Sequence, residues 1–391
     1  MSRLRICLLT HYYPPEVGAP QMRLASLARG LSEQGHHVTV HTGFPNYPRG
    51  RVIAPYRNRL VRHELIDGIR VVRSVVLPTE NRGFARRLLN HTAFAAGAVA
   101  LQALAGRQDV VVAESPPLFL AAAAPPYARR AGARLVLHVA DLWPESAVAV
   151  GALGASPLVG AAQRLARWCY RHADAIAVPT VGMVRRLEAD PAAAGGVHRV
   201  VPHVDETRFA GAPPAARSGP LEVLYAGTVG LAHGIRTLLD AAELLGPAAA
   251  SDATRRGLEN VRFLGTVTPA AVADLYEHAE AGLVLLRDDP LFADALPTKL
   301  LECMAAARPA VVSAPGEAAE LVRAAGAGVA VAPEDPRALA AALAGLRRRR
   351  GELAGMGARG RRLVLERFGR RRTLESWERV LAATRSRHGG T

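Results

Sequence analysis

The stretch FADALPTKLLECMAAARPAVVSAPGEAAELVR, residues 292–323, decides how the rest of the chain is read. It predicts a polar loop, a short helix, a buried strand and the start of a second helix. Pro297 suits a first helical turn, where its missing N–H costs nothing. Leu300, Leu301, Met304 and Ala305 give that helix an apolar face, and Arg308-Pro309 ends it. Ala310-Val311-Val312-Ser313 has the near-continuous apolar character of a buried parallel strand. Lys299 lies three residues before Glu302, so the two share a helical face. A helix N-terminus with a lysine beside it can hold a phosphate or diphosphate. A carboxylate one turn further in can accept hydrogen bonds from ribose hydroxyls. An ordinary amphipathic helix with a surface Glu–Lys pair satisfies the same spacing.

Outward from this stretch, strands and helices alternate. The N-terminal run predicts a strand at 5–10, the loop HYYPPEVGAP at 11–20, a helix at 21–34 stopped by Gly35, and a strand at 37–42. That is the opening of a doubly wound sheet, whose ligands bind outside the carboxyl ends of its strands. Gly18 permits close backbone approach in that loop. Further strands are expected at 69–74, 109–114 and 134–140, so Thr10–His11, Glu114–Ser115 and His138–Asp141 should gather at one sheet edge. His138 at that edge also fits a satisfied core histidine, with Asp141 capping a helix. A helix at 157–172 and strands at 174–180 and 197–204 follow. Residues 210–220, rich in Ala, Pro, Gly and Ser, read as a linker.

The pattern restarts with a strand at 221–227. Its turn, TVGLAHG at 228–234, precedes a helix at 235–245 and presents backbone N–H groups suited to phosphate. It matches neither the nicotinamide glycine fingerprint nor a Walker loop. A strand at 260–267, a helix at 269–279, a strand at 282–286, a strand at 328–332, a helix from 336 and a last helix at 371–387 complete the reading. Arg287-Asp288-Asp289-Pro290 reads as a solvated turn rather than a metal site.

Composition bounds the alternatives. The 391 residues suffice for two domains, and the 50% hydrophobic content excludes a disordered chain. The three cysteines, Cys7, Cys169 and Cys303, fit neither zinc spacing nor a disulfide framework, which favours a reducing cytosol. The first apolar run is too short for a signal peptide. A net charge of +15 favours polyanionic partners. Nucleic-acid binding would interleave basic residues with exposed aromatics, yet aromatics are only 5%. Arg82, Arg86 and Arg87 precede an uncharged run at 92–106, too short to span a bilayer. This pairing suggests a helix lying on an anionic membrane surface, and a helix packed into its own domain is the competing reading.

Asp294, seven residues, Glu302, then a small-residue turn and a Pro-x-Val-Val-type strand resembles the signature of retaining glycosyltransferase family 4. The variant Leu-Pro-Thr-Lys-Leu-Leu-Glu at 296–302 resembles the branch that builds bacterial O-antigen, capsule and colanic-acid-type polysaccharides. The segment 200–209, VVPHVDETRF, is similar to the family's inter-domain hinge. The resemblance covers nearly the whole chain. It implies a GT-B fold, two Rossmann-like α/β domains facing across a cleft, with domains at 1–208 and 219–370 and a helix at 371–391 crossing back to the first. It implies transfer of a sugar, such as an N-acetylhexosamine or deoxyhexose, from an NDP-sugar, UDP-linked, to a lipid-linked saccharide or other glycan acceptor in cell-surface polysaccharide biosynthesis, without metal or cofactor. It places the enzyme on the inner face of the cytoplasmic membrane, with no nucleic-acid partner.

The family's pattern assigns the nucleotide ribose to Glu302, the donor sugar to Asp294, and the diphosphate to the backbone at Leu296, Pro297 and Thr298. Gly18, Gly227, Thr228 and Gly230 join the donor side, and His138 approaches the donor sugar. His11, Ser115 and Asp141 fall on the acceptor side of the cleft. Two departures stand out. Asp294 replaces the usual glutamate, and the 228–234 turn lacks the usual Arg and Lys clamp. Lys299 is the expected substitute, with Arg236 second. A UDP-sugar 2-epimerase would share the two-domain plan and need no acceptor.

Overall fold

The computed structural model describes residues 3–46, 50–77, 84–154, 156–212, 214, 218–245 and 260–386, without the side chains of 84–87. The chain divides into two compact units. The first comprises Met1–Val148, Ala152–Val201 and Thr373–Thr391, the second Ala149–Gly151 and Pro202–Arg372. Residues 202–208, read from sequence as the end of the first domain, group with the second unit.

Among the described residues the first unit is built on eight strands. They are β1 (Arg5–Leu9), β2 (His37–Gly43), β3 (Val61–Ile66), β4 (Ile69–Ser74), β5 (Val110–Ser115), β6 (Arg134–Val139), β7 (Ala175–Val178) and β8 (Val197–Arg199). Their order is β3-β4-β2-β1-β5-β6-β7-β8. All pair in parallel except β3, which runs antiparallel to β4. Sequence order reverses between β1 and β5, and a doubly wound sheet opens its ligand crevice at such a point.

Ile6, Leu8, Val40, Val71, Val112 and Val136 form the spine of its core. Leu24, Ala28 and Leu31 of the helix Ala19–Glu33 cover it. Trp377, Val380 and Leu381 of the last helix, Arg370–Ser386, join the same core, and Glu378 bonds His36 at 2.7 Å. The helix Phe84–Ala100 turns Asn90, Phe94, Ala95 and Ala98 inward. One face of this helix is therefore packed into its own domain, which both readings of the segment allow. Arg82 and the side chains of Arg86 and Arg87 lie outside the described residues. Among the described residues no helix is long and apolar enough to cross a membrane.

Among the described residues the second unit carries four parallel strands, β9 (Val223–Leu224), β10 (Ala281–Leu285), β11 (Ala310–Ser313) and β12 (Gly328–Val331), ordered β12-β11-β10-β9. Leu283, Leu285 and Val311 pack beneath Leu339, Leu343 and Leu346 of the helix Pro336–Arg348, with Met356 alongside. The expected strand at 260–267 is not one: the segment is irregular and has no ladder among the described residues. A strand needs a neighbour to take its backbone groups, and here the ladder stops at the two residues of β9.

Candidate functional site

In the second unit the predicted helix is Thr298–Ala305, with Pro297 as its N-cap. Leu296, Leu300 and Leu301 are buried and fix its start. The first amides of any helix have no partner within it and carry its positive dipole end. Lys299, in that first turn, is 8% exposed. Its Nζ donates to Tyr225 Oη at 2.7 Å and lies 4.4 Å from the ring centroid. The Tyr225 hydroxyl donates onward to Thr228 O at 3.1 Å. One hydroxyl therefore ties the lysine to the glycine-spaced turn after β9.

Gly227 adopts φ +152°, and a Cβ built there would lie 3.1 Å from both Cε and Nζ of Lys299. Only glycine lets the turn pass this close to the lysine without strain. Burial lowers the Lys299 pKa to about 8, with Glu302 acting in the opposite sense. His233, in the same turn, is lowered to about 4 by burial and by Lys299. Its buried Nδ1 has no partner among the described residues, and Gly230 sits beside it. Arg236 is exposed, so Lys299 rather than Arg236 is the cation at Gly227.

Glu302, one turn into the helix, does not pair with Lys299. Its Oε1 accepts from Arg208 Nη1 at 3.2 Å. Arg208 also donates to Pro269 O at 2.8 Å, and its guanidinium lies 5.3 Å from the Phe209 ring. Burial raises the Glu302 pKa; Arg208 first, then Lys299, restrain the rise. Asp294 ends a short turn at Phe292–Asp294. That turn is pressed onto Gly316, at φ +62°, where a Cβ would meet Ala293 O at 2.1 Å. Asp289, from the discounted aspartate pair, accepts from Leu291 N at 2.8 Å within its own turn.

In the first unit the ends of β1, β5 and β6 do come together. Thr10 Oγ1 donates to Glu114 Oε2 at 3.1 Å, and Arg23 bonds Glu114 Oε1. Burial raises the Glu114 pKa, opposed by Arg23 and Thr10. Glu114 and His138 are register partners on adjacent strands. His138 is 4% exposed, meets Trp377 edge-on at 5.2 Å, and has no partner for Nδ1 among the described residues. Burial, then Arg23, holds its pKa well below the ordinary value.

His11 is also buried and neutral, and neither ring nitrogen has a partner among the described residues. Its ring contacts are edge-on to Tyr12, His91 and Phe94 at 4.5, 4.7 and 5.0 Å. Ser115 is buried, its carbonyl accepting from Ala140 N at 2.8 Å. Asp141 is exposed just past β6. Gly18 N-caps Ala19–Glu33, and a Cβ there would sit 2.5 Å from Gln21 Oε1. Sequence reasoning placed Glu114 at this edge but missed its partner Arg23, and in the second unit it missed Tyr225 and Arg208 as parts of the cluster.

Chemically, the second unit offers a cation and oriented amides to an anion, with a carboxylate nearby. The first offers neutral imidazoles at a parallel-sheet edge. Residues 18–203 match the model of the glycosyl transferase 4-like domain, and residues 221–348 match that of the glycosyl transferases group 1. The chain is 26% identical to the Escherichia coli (strain K12) protein WcaI, named for colanic acid biosynthesis glycosyl transfer, over 85% of this chain and 89% of that one. Among solved structures, sucrose-phosphate synthase from Thermosynechococcus elongatus superposes with a TM-score of 0.75 at 18% identity, covering 97% of this chain and 98% of the other. Anabaena HepE in complex with UDP-glucose superposes with a TM-score of 0.70 at 16% identity, covering 97% and 100%. At these identities the likeness establishes the fold, the GT-B plan of two Rossmann-like units.

Proposed function

The chain belongs to the family 4 glycosyltransferases of GT-B fold, and on that premise we propose that it moves an N-acetylhexosamine or deoxyhexose from a UDP-sugar to a lipid-linked saccharide, with retention of configuration. The observation that carries this reading is the buried Lys299 at the mouth of a helix, lashed by Tyr225 to the Gly227–Thr228 turn. A departing diphosphate gains negative charge as the glycosidic bond breaks. Donors already in place stabilise that charge without reorganising. Lys299, the amides at Leu296–Thr298 and the Thr228–Gly230 backbone are those donors in this reading, and Glu302 takes the ribose hydroxyls. The C1–O bond to the diphosphate breaks, the acceptor oxygen bonds C1 on the same face, and the acceptor's proton passes to the leaving phosphate oxygen. No metal is required in this scheme.

WcaI's name supports cell-surface polysaccharide assembly as the setting, and the HepE complex supports a UDP-linked donor. The acceptor lipid would place the enzyme on the inner face of the cytoplasmic membrane, docked through the basic segment around Arg82. The test is incubation with a panel of UDP-, GDP- and dTDP-sugars, with and without EDTA. Slow, EDTA-insensitive release of UDP is expected. Release confined to another nucleotide overturns the donor assignment, loss of release in EDTA overturns the metal-free scheme, and an isomerised UDP-sugar would mark a 2-epimerase.

A further inference from the structure

Glu302 sits in a demanding place. Its side chain is only 25% exposed and burial raises its pKa, yet a ribose-binding carboxylate must be ionised and correctly turned. The charged groups that face it are few. Arg208 comes from the segment after the first unit, and Lys299 from the preceding turn of its own helix. Tyr276 of the helix Pro269–His278 also feels its charge. Lys299 is committed to Tyr225. Arg208 alone among these donates a hydrogen bond to the carboxylate, and it takes a single oxygen, Oε1, at 3.2 Å. No second partner among the described residues takes Oε2.

The guanidinium is itself held from two further sides. Its other nitrogen donates to Pro269 O at 2.8 Å, and its Cζ lies 5.3 Å from the centroid of the Phe209 ring. The segment carrying it is anchored as well: Glu206 accepts from the Arg370 amide through both oxygens at 3.3 Å. An arginine fixed this way is a preset fork that orients one carboxylate oxygen and leaves the other open.

We propose that Arg208 is the positioning residue of the nucleotide site: it fixes Glu302 through Oε1 and keeps it ionised, so that Oε2 is presented to the ribose diol. This rests on the reading of Glu302 as the ribose carboxylate. Arg208 touches neither sugar nor diphosphate in this scheme, so its loss should fall on donor binding and spare the chemical step.

The experiment is UDP calorimetry and steady-state kinetics on Arg208→Met, Arg208→Lys and Glu302→Gln, with UDP itself as the probe. In Arg208→Met the affinity for UDP should drop roughly tenfold to a hundredfold, the scale of one hydrogen bond to a charged group. KM should rise with kcat little changed. The sign of the pH dependence is set by Glu302. Without Arg208 its raised pKa climbs further, so UDP affinity in Arg208→Met should be weakest at acid pH and recover as pH rises. The parent should show the same acid limb at lower pH, because Arg208 restrains the rise of the Glu302 pKa. Arg208→Lys should restore part of the affinity. A merely structural arginine would give a loss that no pH recovers.

The outcomes separate the two claims. If Glu302→Gln binds UDP as the parent does, the ribose reading itself fails. If Glu302→Gln loses affinity while Arg208→Met keeps it, or loses it equally at every pH, the positioning role of Arg208 is overturned.

Discussion

The two polar clusters solve opposite problems. In the second unit Lys299 and Glu302 are each held by a partner from a distant segment, Tyr225 for the lysine and Arg208 for the carboxylate. Charge is kept in place there. In the first unit His11 and His138 lie at a buried sheet edge with ring nitrogens that have no partner among the described residues, and burial drives both toward the neutral form. The charge at that edge, Glu114 with Arg23, is spent on itself. Isolated buried charge is costly unless paired and hydrogen-bonded. A site that meets a diphosphate can be repaid by the ligand's own charge; a site that meets uncharged hydroxyls cannot. On the proposed reading, the charge of each ligand is already written into how its cluster settles its side chains.

Lys299→Ala should break the comparison most severely. Losing one preorganised donor to a developing anion costs on the order of 2.7–4 kcal/mol, roughly a hundredfold to a thousandfold in kcat. UDP binding should suffer less. Because burial lowers the Lys299 pKa to about 8, activity that needs the ammonium falls as pH rises through that value. The limb should appear in kcat/KM, which reports the free enzyme. In kcat it should move upward, since a bound diphosphate favours the charged form. A limb that survives in Lys299→Ala would assign the charge to another group.

Gly227→Ala sharpens the same contrast with a smaller effect. The new methyl would stand 3.1 Å from the lysine's Cε and Nζ, on a backbone at φ +152°. Strain of this kind costs about 1–3 kcal/mol. Displacing the ammonium should lower turnover by roughly tenfold and shift the alkaline limb. Unchanged kinetics in this variant would show that turn and lysine act independently.

Much of this was legible in the chain, and the gaps have physical causes. Apolar runs alternating with amphipathic ones marked both sheets. The β3–β4 hairpin was also written there, as Asp67-Gly68 between two strand-like runs, with both residues at positive φ; it went unread. The segment 260–267 misled because apolar composition reports a preference for extension, not the presence of a neighbour. At the site, the spacing of Lys299 and Glu302 placed them on one helical face but suggested a mutual pair. Their true partners lie 74 and 94 residues away. Such pairings exist only after the sheet brings loops together, and no local period encodes them. The orphaned nitrogens of His11 are likewise a property of their surroundings.

The smallest expected effect tests the neutral half of the comparison. His138 is held uncharged first by burial and only second by Arg23. Replacing Arg23 alone would strip Glu114 of its counter-charge and leave a buried carboxylate with Thr10 as its remaining donor. Arg23→Met with Glu114→Gln removes both charges together and largely keeps the shape. If burial dominates, the His138 ring in the double variant should still stay neutral below its ordinary titration range, with only a modest upward shift. NMR of the imidazole carbons across mildly acidic pH reads this directly. In the parent no His138 titration should be seen near the usual histidine value. A normal titration there would mean water reaches the ring, and the edge of the first sheet would then be chargeable, as the second unit's cluster is.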